Sequence, residues 1–219
     1  MENNLATRLK KIESLEAQLP TTAGRLMENG APFYITSMFL LGAAQRTIDQ
    51  SRAFRQLVQT ENFTAAAIML RTQVDTAMRL NGLTLLKDVE EDLKKVFSNE
   101  LQFNHLRPSR SHDRKKGEKL TDAFLRHELA KQFPFINEVY KQTSDFVHLS
   151  FRPFFLGTRI GSEEERTIDF VIGPNARKYD ESNYHEIADA FMHVTEMTTS
   201  ILIQMIAQVH PNAPVTKEV

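Results

Sequence analysis

The chain has 219 residues, of which 41% are hydrophobic and 25% charged, and this composition is typical of a folded domain with its own core. It contains no cysteine, which excludes disulfides, thiolate metal sites and cysteine nucleophiles. Its 27 basic and 28 acidic residues give a formal net charge of -1, so the surface as a whole does not favour nucleic acid or an anionic membrane.

Apolar residues recur at helical spacing along most of the chain, and this pattern predicts a series of amphipathic helices. We expect Pro20 to end the first helix, and the apolar first half of the second, residues 33–44, to be buried. The inner face of the fourth is assigned to Val89, Leu93, Val96 and Phe97. The predicted helices cover residues 5–19, 33–60, 64–86, 88–100, 121–133, 134–150 and 180–209.

One stretch has the pattern of β-structure. Residues 154–160 and 166–172 are rich in β-branched and aromatic residues and flank a polar turn, which predicts a hairpin. No repeat or linker divides the chain. The predicted fold is therefore mainly α: a single helical bundle of about six or seven helices over residues 1–219, with one β-hairpin at about 153–173 inserted before the last long helix.

The sequence contains no pattern of a targeting or membrane segment. Its first residues are polar and are not followed by the apolar core of a signal peptide. The longest apolar-rich stretch, residues 33–44, is too short to span a bilayer. We therefore expect a cytoplasmic protein without a membrane partner.

Three charged residues interrupt the otherwise apolar third helix. Arg71, Asp75 and Arg79 are four residues apart, so they share one face of a helix that is apolar on most other sides. Such a helix belongs at the centre of a bundle, where charges must be paired or line a cavity. The spacing fits either a structural ladder of ion pairs or a functional cavity.

The end of the sixth helix carries a second polar cluster. Asp145 and His148 are three residues apart and face the same side, and a carboxylate near an imidazole suits a general acid or base. Ser144 lies on the same face, but no glycines of a nucleophile elbow surround it. The alternative interpretation is a histidine that caps the helix end near Phe151.

Residues 105–119 form a basic segment without apolar periodicity, and we predict a loop. Arg107 and His112 are separated by four residues, which matches the Arg-x(4–6)-His signature of HEPN-type ribonucleases. Together with Arg110, Arg114, Lys115 and Lys116 they also form a candidate phosphate-attracting patch. A solvated loop without a ligand is the alternative.

The last helix carries a polar stripe of His185, Asp189, His193 and Glu196. Histidine and carboxylate at this spacing can bind zinc or iron, so these residues form a weak candidate metal site. The stripe is also typical of any amphipathic surface helix. We expect neither a metal nor another cofactor.

Three runs, residues 69–80, 113–122 and 140–150, together resemble a family of uncharacterised bacterial helical proteins. Its pattern is an LR-x-x-x-D-x-x-x-R helix, a DRKG-type loop and an S-x-x-x-H-x-S helix end. The layout is similar to HEPN-like and abortive-infection proteins, some of which are ribonucleases or toxin-like effectors. The resemblance implies an effector that binds RNA or a nucleotide and forms a homodimer. If it is an enzyme, a metal-independent ribonuclease is the first expectation.

On this hypothesis the polar clusters form a single site. The candidate catalytic residues are His148, Asp145 and Arg71. The candidate substrate-binding residues are Arg79, Asp75, Arg107, His112, Arg114, Lys115 and Lys116. The alternative is a non-catalytic structural or interaction protein whose polar clusters only stabilise the bundle.

Overall fold

The computed structural model describes residues 4–27, 30, 34–109, 118–148, 158–162, 164, 166–173 and 179–212. The described α-helices are α1 Leu5–Arg25, α2 Ile35–Gln59, α3 Phe63–Leu83, α4 Val89–Phe97, α5 Asp122–Gln132, α6 Ile136–Val147 and α7 Glu181–Val209. Strands β1 Thr158–Ile160 and β2 Ile168–Phe170 pair antiparallel before α7, and a 3-10 turn spans Phe103–His105. The predicted fold class, a mainly helical bundle with a hairpin before its last helix, is confirmed.

Helix α3 lies at the centre of the bundle, as its composition predicts. It packs against α2, α5, α6 and α7. Its side chains Val74, Ala77 and Leu80 are fully buried. Each large apolar side chain removed from water in this way contributes about 1.5–3 kcal/mol. The same core includes Phe54 of α2 and Phe191 of α7, whose stacked rings lie 3.9 Å apart.

The prediction that Pro20 ends the first helix is wrong. Helix α1 continues to Arg25 with Pro20 inside it. Proline lacks an N–H group, so this turn loses one backbone hydrogen bond. Leu19 and Ala23, on either side of Pro20, are 2% and 3% exposed, and their burial in the core offsets that loss.

Two predictions of burial are also wrong in part. In the first half of α2, Leu40 is fully buried, but Met38 and Leu41 are 40% and 41% exposed because only one side of α2 faces the bundle. In α4, Leu93 is fully buried, whereas Phe97 is 48% exposed. Phe97 is the last residue of this nine-residue helix, beyond the part that packs on the core.

The start of α2 is held by a carboxylate from α4. Tyr34 precedes α2 and offers no capping side chain. Instead, the backbone N–H groups of Ile35 and Thr36 donate to the Glu90 carboxylate, each at 2.9 Å. Burial of Glu90 favours its neutral form, but the hydrogen bonds from Thr36 and Ile35 outweigh this effect and hold the pKa of Glu90 below its ordinary value.

The hairpin is short and one of its strands is exposed. Its register pairs Thr158 with Phe170 and Ile160 with Ile168. Ile168 and Phe170 of β2 are 72% and 52% exposed. Residues 153–157 of the predicted hairpin lie outside the described residues. Within the described ranges, none of the helices has an apolar run long enough to cross a bilayer.

Candidate functional site

Arg71 and Asp75, the first two residues of the predicted ladder, lie between three helices. The Arg71 side chain is 9% exposed and forms an ion pair with Asp75. Its guanidinium lies 3.7 Å from the ring centroid of Tyr140 on α6. Arg126 of α5 lies 4.8 Å from the same ring, and its Nε is buried with no hydrogen-bond partner among the residues the structure describes. This enclosure favours a structural role for Arg71 and Asp75.

Arg79, the third member of the ladder, is oriented differently. Its guanidinium lies 3.9 Å from the Asp122 carboxylate and 5.1 Å from the centroid of the Phe103 ring. The Arg79 side chain is 41% exposed, so solvent reaches it. The predicted ladder is therefore two separate arrangements: a buried pair of Arg71 with Asp75, and a solvent-accessible arginine at the end of α3.

A cavity of about 390 Å³ opens beside Arg79, and we call it the Arg79 cavity. Its lining residues are Arg79, Phe103, Asn104, Thr121 and Asp122. The Phe103 ring is fixed from behind by Phe39 of α2, whose ring is stacked on it at 6.0 Å. The cavity therefore combines a guanidinium, an amide, a hydroxyl and a carboxylate around one aromatic face.

The basic segment begins and ends at this cavity. The N–H of Leu120 donates to the carbonyl of Leu106 at 2.9 Å, and both side chains are buried, so the two ends of the segment are joined. Ser109 donates its N–H to the carbonyl of Leu85 at 2.7 Å. Arg107 is exposed between these anchor points. The other predicted phosphate-binding residues of the segment lie outside the described residues: Arg110, His112, Arg114, Lys115 and Lys116.

Helix α6 runs antiparallel to α3, because Tyr140 contacts Arg71 whereas Phe146 contacts Phe63, 5.9 Å away between ring centroids. His148, at the end of α6, is therefore near the start of α3. Arg79 is sixteen residues beyond Phe63, a rise of about 24 Å. The structure thus places the predicted acid–base pair of Asp145 and His148 at the opposite end of α3 from the Arg79 cavity.

His148 fits the structural interpretation. It is the C-cap residue of α6, and its backbone N–H donates to the carbonyl of Ser144 at 3.1 Å. The side chain of His148 is exposed, and Asp145 is half-buried.

The polar stripe of α7 does not converge on a metal site. Asp189 accepts a hydrogen bond from Arg8 of α1 at 2.8 Å. His185 lies 3.3 Å from Glu181, and the His193 ring meets the edge of Phe135 at 6.5 Å. Across the described ranges, no group of three or more metal-binding side chains is found.

Several residues that build these clusters were not among the predicted site residues. Tyr140 carries a usable signal, because it shares the helical face of Ser144 and His148 at four-residue spacing. Phe103 and Asn104 follow a charged helix in an irregular segment, and nothing in their local pattern marks them. Asp122 is an acidic residue in the first turn of α5, where acidic residues are common, so its pattern does not mark it as a site residue.

Comparison with known proteins adds no relative: the chain matches no protein-family model, no curated protein and no solved structure. The resemblance to HEPN-like proteins therefore stays a prediction. Inference of function rests on the geometry of the described residues.

Proposed function

We propose that the protein is an RNA- or nucleotide-binding effector of the HEPN-like kind and that its ligand binds in the Arg79 cavity. The observation that carries the proposal is the half-exposed Arg79 guanidinium packed against the Phe103 ring where the basic segment begins and ends. Arginine at such a position presents a planar set of donors that matches phosphate oxygens.

The cavity offers one group for each part of a nucleotide. Arg79 is suited to phosphate, the Phe103 ring to stacking with a base, and the Asn104 amide to hydrogen bonding with a base edge. Arg107 is exposed three residues after the lining residue Asn104 and adds positive charge to this part of the chain. Its volume of about 390 Å³ is within the usual range for small-ligand sites.

The geometry argues against His148 as the catalytic base at the Arg79 cavity. A metal-independent ribonuclease needs its general base next to the phosphate-binding arginine. His148 and Arg79 are at opposite ends of α3. We therefore expect no His148-dependent cleavage of labelled RNA that is incubated with the protein and EDTA. Cleavage that is lost in His148→Ala would assign catalysis instead.

Fluorescence anisotropy with a short labelled single-stranded RNA, and competition by ATP and GTP, tests the binding proposal. Arg79→Ala should weaken binding about tenfold, because one charge-assisted contact to phosphate contributes about 1.5 kcal/mol. Arg52→Ala is the matched control. Arg52 is an exposed arginine of α2, thirteen residues and about 20 Å from Phe39, the residue that contacts the cavity wall.

Binding that falls equally in Arg79→Ala and Arg52→Ala would show only nonspecific attraction and would reject the cavity as the site. Binding should also weaken as salt is raised, because phosphate contacts release counterions. Thermal melts of both variants check that the fold is retained.

A second candidate is a non-catalytic interaction protein, and the enclosed cluster of Arg71, Asp75 and Tyr140 favours it because those polar groups stabilise the bundle without facing a ligand. This candidate predicts no RNA or nucleotide binding by any variant. The Arg79→Ala experiment therefore also separates the two candidates.

We further propose a homodimer that pairs through the exposed face of α2. Met38 and Leu41 are large apolar side chains on this face. Arg46 and Asp49 follow on it with opposite charges, so two antiparallel copies of α2 can pair the arginine of one with the aspartate of the other. Light scattering should give a dimer mass that Leu41→Glu reduces to the monomer. A monomer mass for the unmodified chain at all concentrations would reject this.

The proposal includes a cytoplasmic location, as the sequence pattern predicts, and a bacterial source, as the resemblance implies. Cell fractionation followed by immunodetection tests it. Recovery in the membrane or secreted fraction would contradict the location.

A further inference from the structure

A groove lined by aromatic rings lies between α3, α6 and α7, at the other end of α3 from the Arg79 cavity. Its volume is about 460 Å³. Four rings line it, those of Phe63, Phe135, Phe146 and Tyr179. Because Phe135 is 39% exposed, the groove leaves apolar area in contact with solvent, which is typical of a binding surface. We call it the aromatic groove.

Three of the four rings, those of Phe63, Phe146 and Tyr179, are held in place by contacts with one another. Phe63 is stacked on Tyr179 at 3.9 Å and meets the edge of Phe146 at 5.9 Å. Phe63 also meets the edge of Tyr184 at 5.6 Å. A ligand that contacts these rings would not have to order them, which reduces the conformational entropy lost on binding.

Among the described residues, the charged side chains that line the aromatic groove are both carboxylates. Glu138 of α6 and Glu186 of α7 both line it and both are exposed at its surface. The described lining residues include no lysine, arginine or histidine. The Tyr179 hydroxyl is buried and has no hydrogen-bond partner within the described part of the chain.

We propose that the aromatic groove binds a small apolar ligand with an ammonium group. Aromatic faces carry negative charge density and attract a cation, and the attraction is stronger where water is excluded. The carboxylates of Glu138 and Glu186 add charge attraction at the surface, and the apolar body of the ligand covers the exposed rings. An anionic ligand of the same shape is repelled by both carboxylates.

This site is independent of the proposed nucleotide site. Phe63 and Arg79 are about 24 Å apart along α3, and the two sites select ligands of opposite charge. Failure of either proposal leaves the other standing, because each is tested with its own probe and its own variants.

The test compares two probes of nearly equal shape and opposite charge, 1-naphthylmethylammonium and 1-naphthylacetate, by isothermal titration calorimetry with the full chain. Both titrations use the same buffer at one fixed pH, because the His193 ring meets the edge of Phe135. The cation should bind at least about tenfold more tightly than the anion.

Variants locate the binding. The double variant E138Q/E186Q should weaken binding of the cation about fivefold to tenfold and leave that of the anion unchanged or stronger. Glu196→Gln, which removes an exposed carboxylate of α7 that does not line the groove, is the matched control and should change neither. Ala190→Phe should block the cation by filling the groove.

Equal affinity for the two probes would overturn the proposal, since the groove would then be apolar without charge selection. Unchanged binding of the cation in E138Q/E186Q, or in folded Ala190→Phe, would overturn it as well by placing the ligand elsewhere. If Ala190→Phe does not fold, the double variant E138Q/E186Q tests the proposal by itself, because glutamine has nearly the same size as glutamate.

Discussion

The guanidinium of Arg71 lies 3.7 Å from the ring centroid of Tyr140, and this contact joins the central helix α3 to α6. Arg126 brings α5 to the same ring at 4.8 Å. The Tyr140 ring thus contacts two arginine side chains, and the Asp75 carboxylate balances the charge of Arg71. The cluster joins three helices, and we expect the loss of its contacts to lower the stability of the fold.

Removal of Asp75 should destabilise the fold. Breaking a buried pair from one side costs about 3–5 kcal/mol, whereas an exposed pair contributes about 0–1 kcal/mol. Arg71 is buried and the Asp75 side chain is 32% exposed, so the pair lies between these limits. We expect Asp75→Ala to lower the free energy of unfolding in urea by about 1–3 kcal/mol.

The control for this variant is Glu164→Ala. Glu164 is exposed in the turn of the hairpin, and its removal should change the free energy of unfolding by less than about 0.5 kcal/mol. Equal and negligible effects of both variants would mean that the Arg71–Asp75 pair is solvated, and α3 would then not be central.

The aromatic ring of Tyr140 should itself contribute to the free energy of unfolding. Tyr140→Phe keeps the aromatic face that both arginines contact, whereas Tyr140→Leu removes it. We expect a loss of about 2–3 kcal/mol for leucine and less than about 1 kcal/mol for phenylalanine. A double-mutant cycle with Arg126→Ala checks the origin of the effect, because the arginine variant should cost less once the ring is absent. Additive effects would contradict the contact.

The central position of α3 could be predicted from the sequence because a helix that is apolar on most sides must be covered on most sides. The length of α1 could not. Proline is a local signal against helix, and the burial of Leu19 and Ala23 that outweighs it depends on packing between distant segments. Periodicity alone predicts that Phe97 faces the core, but only the part of the short α4 around Leu93 packs against it.

The candidate site was less predictable for the same reason. The spacing of Arg71, Asp75 and Arg79 places them on one face, but their partners come from other elements. Asp122 and Phe103 are far along the chain from Arg79. Whether His148 joins Arg79 depends on the direction of α6 against α3, and sequence spacing does not encode that direction.

The Glu90 carboxylate gives the stability a defined pH dependence. Its pKa in the folded state is below the ordinary value because of the hydrogen bonds from Thr36 and Ile35, although burial opposes them. The stabilisation is therefore complete above the ordinary glutamate pKa of about 4.3 and is lost as the pH falls through the lower folded value. Measured in thermal melts, the advantage of the wild type over Glu90→Gln should be constant near neutral pH and shrink in acid.

The neighbouring variant Glu91→Gln is the control. Glu91 is exposed and lies 3.8–3.9 Å from Lys95 and Lys94, so its removal should change stability at neutral pH by less than about 0.5 kcal/mol. An advantage over Glu90→Gln that grows as the pH falls would contradict the assigned direction of the Glu90 pKa.

Asp122 should act against an anionic ligand in the Arg79 cavity. Its carboxylate lies 3.9 Å from the Arg79 guanidinium, and it competes with phosphate for that charge. Asp122→Asn should tighten RNA binding about threefold, because an exposed pair of this kind contributes less than about 1 kcal/mol. The anisotropy assay measures this, with Glu164→Gln as a control for the loss of one negative charge elsewhere. Weaker binding in Asp122→Asn would mean that the carboxylate itself contacts the ligand.

Gly82 marks a close approach between α3 and α5, and the two glycine variants Gly82→Ala and Gly24→Ala should have effects of opposite sign. A Cβ at Gly82 would lie 2.6 Å from Cδ2 of Leu125, which is fully buried and has little room to move. Overpacking of this kind costs about 1–3 kcal/mol and exceeds the gain of about 1 kcal/mol in helix propensity, so Gly82→Ala should lower the melting temperature.

At Gly24 in the last turn of α1, the added Cβ meets no atom within 4 Å, and Gly24→Ala should raise stability by about 0.5 kcal/mol. A rise in both variants would show that α3 and α5 separate easily at this point, and Leu125 would then not hold the wall of the bundle beside the Arg79 cavity.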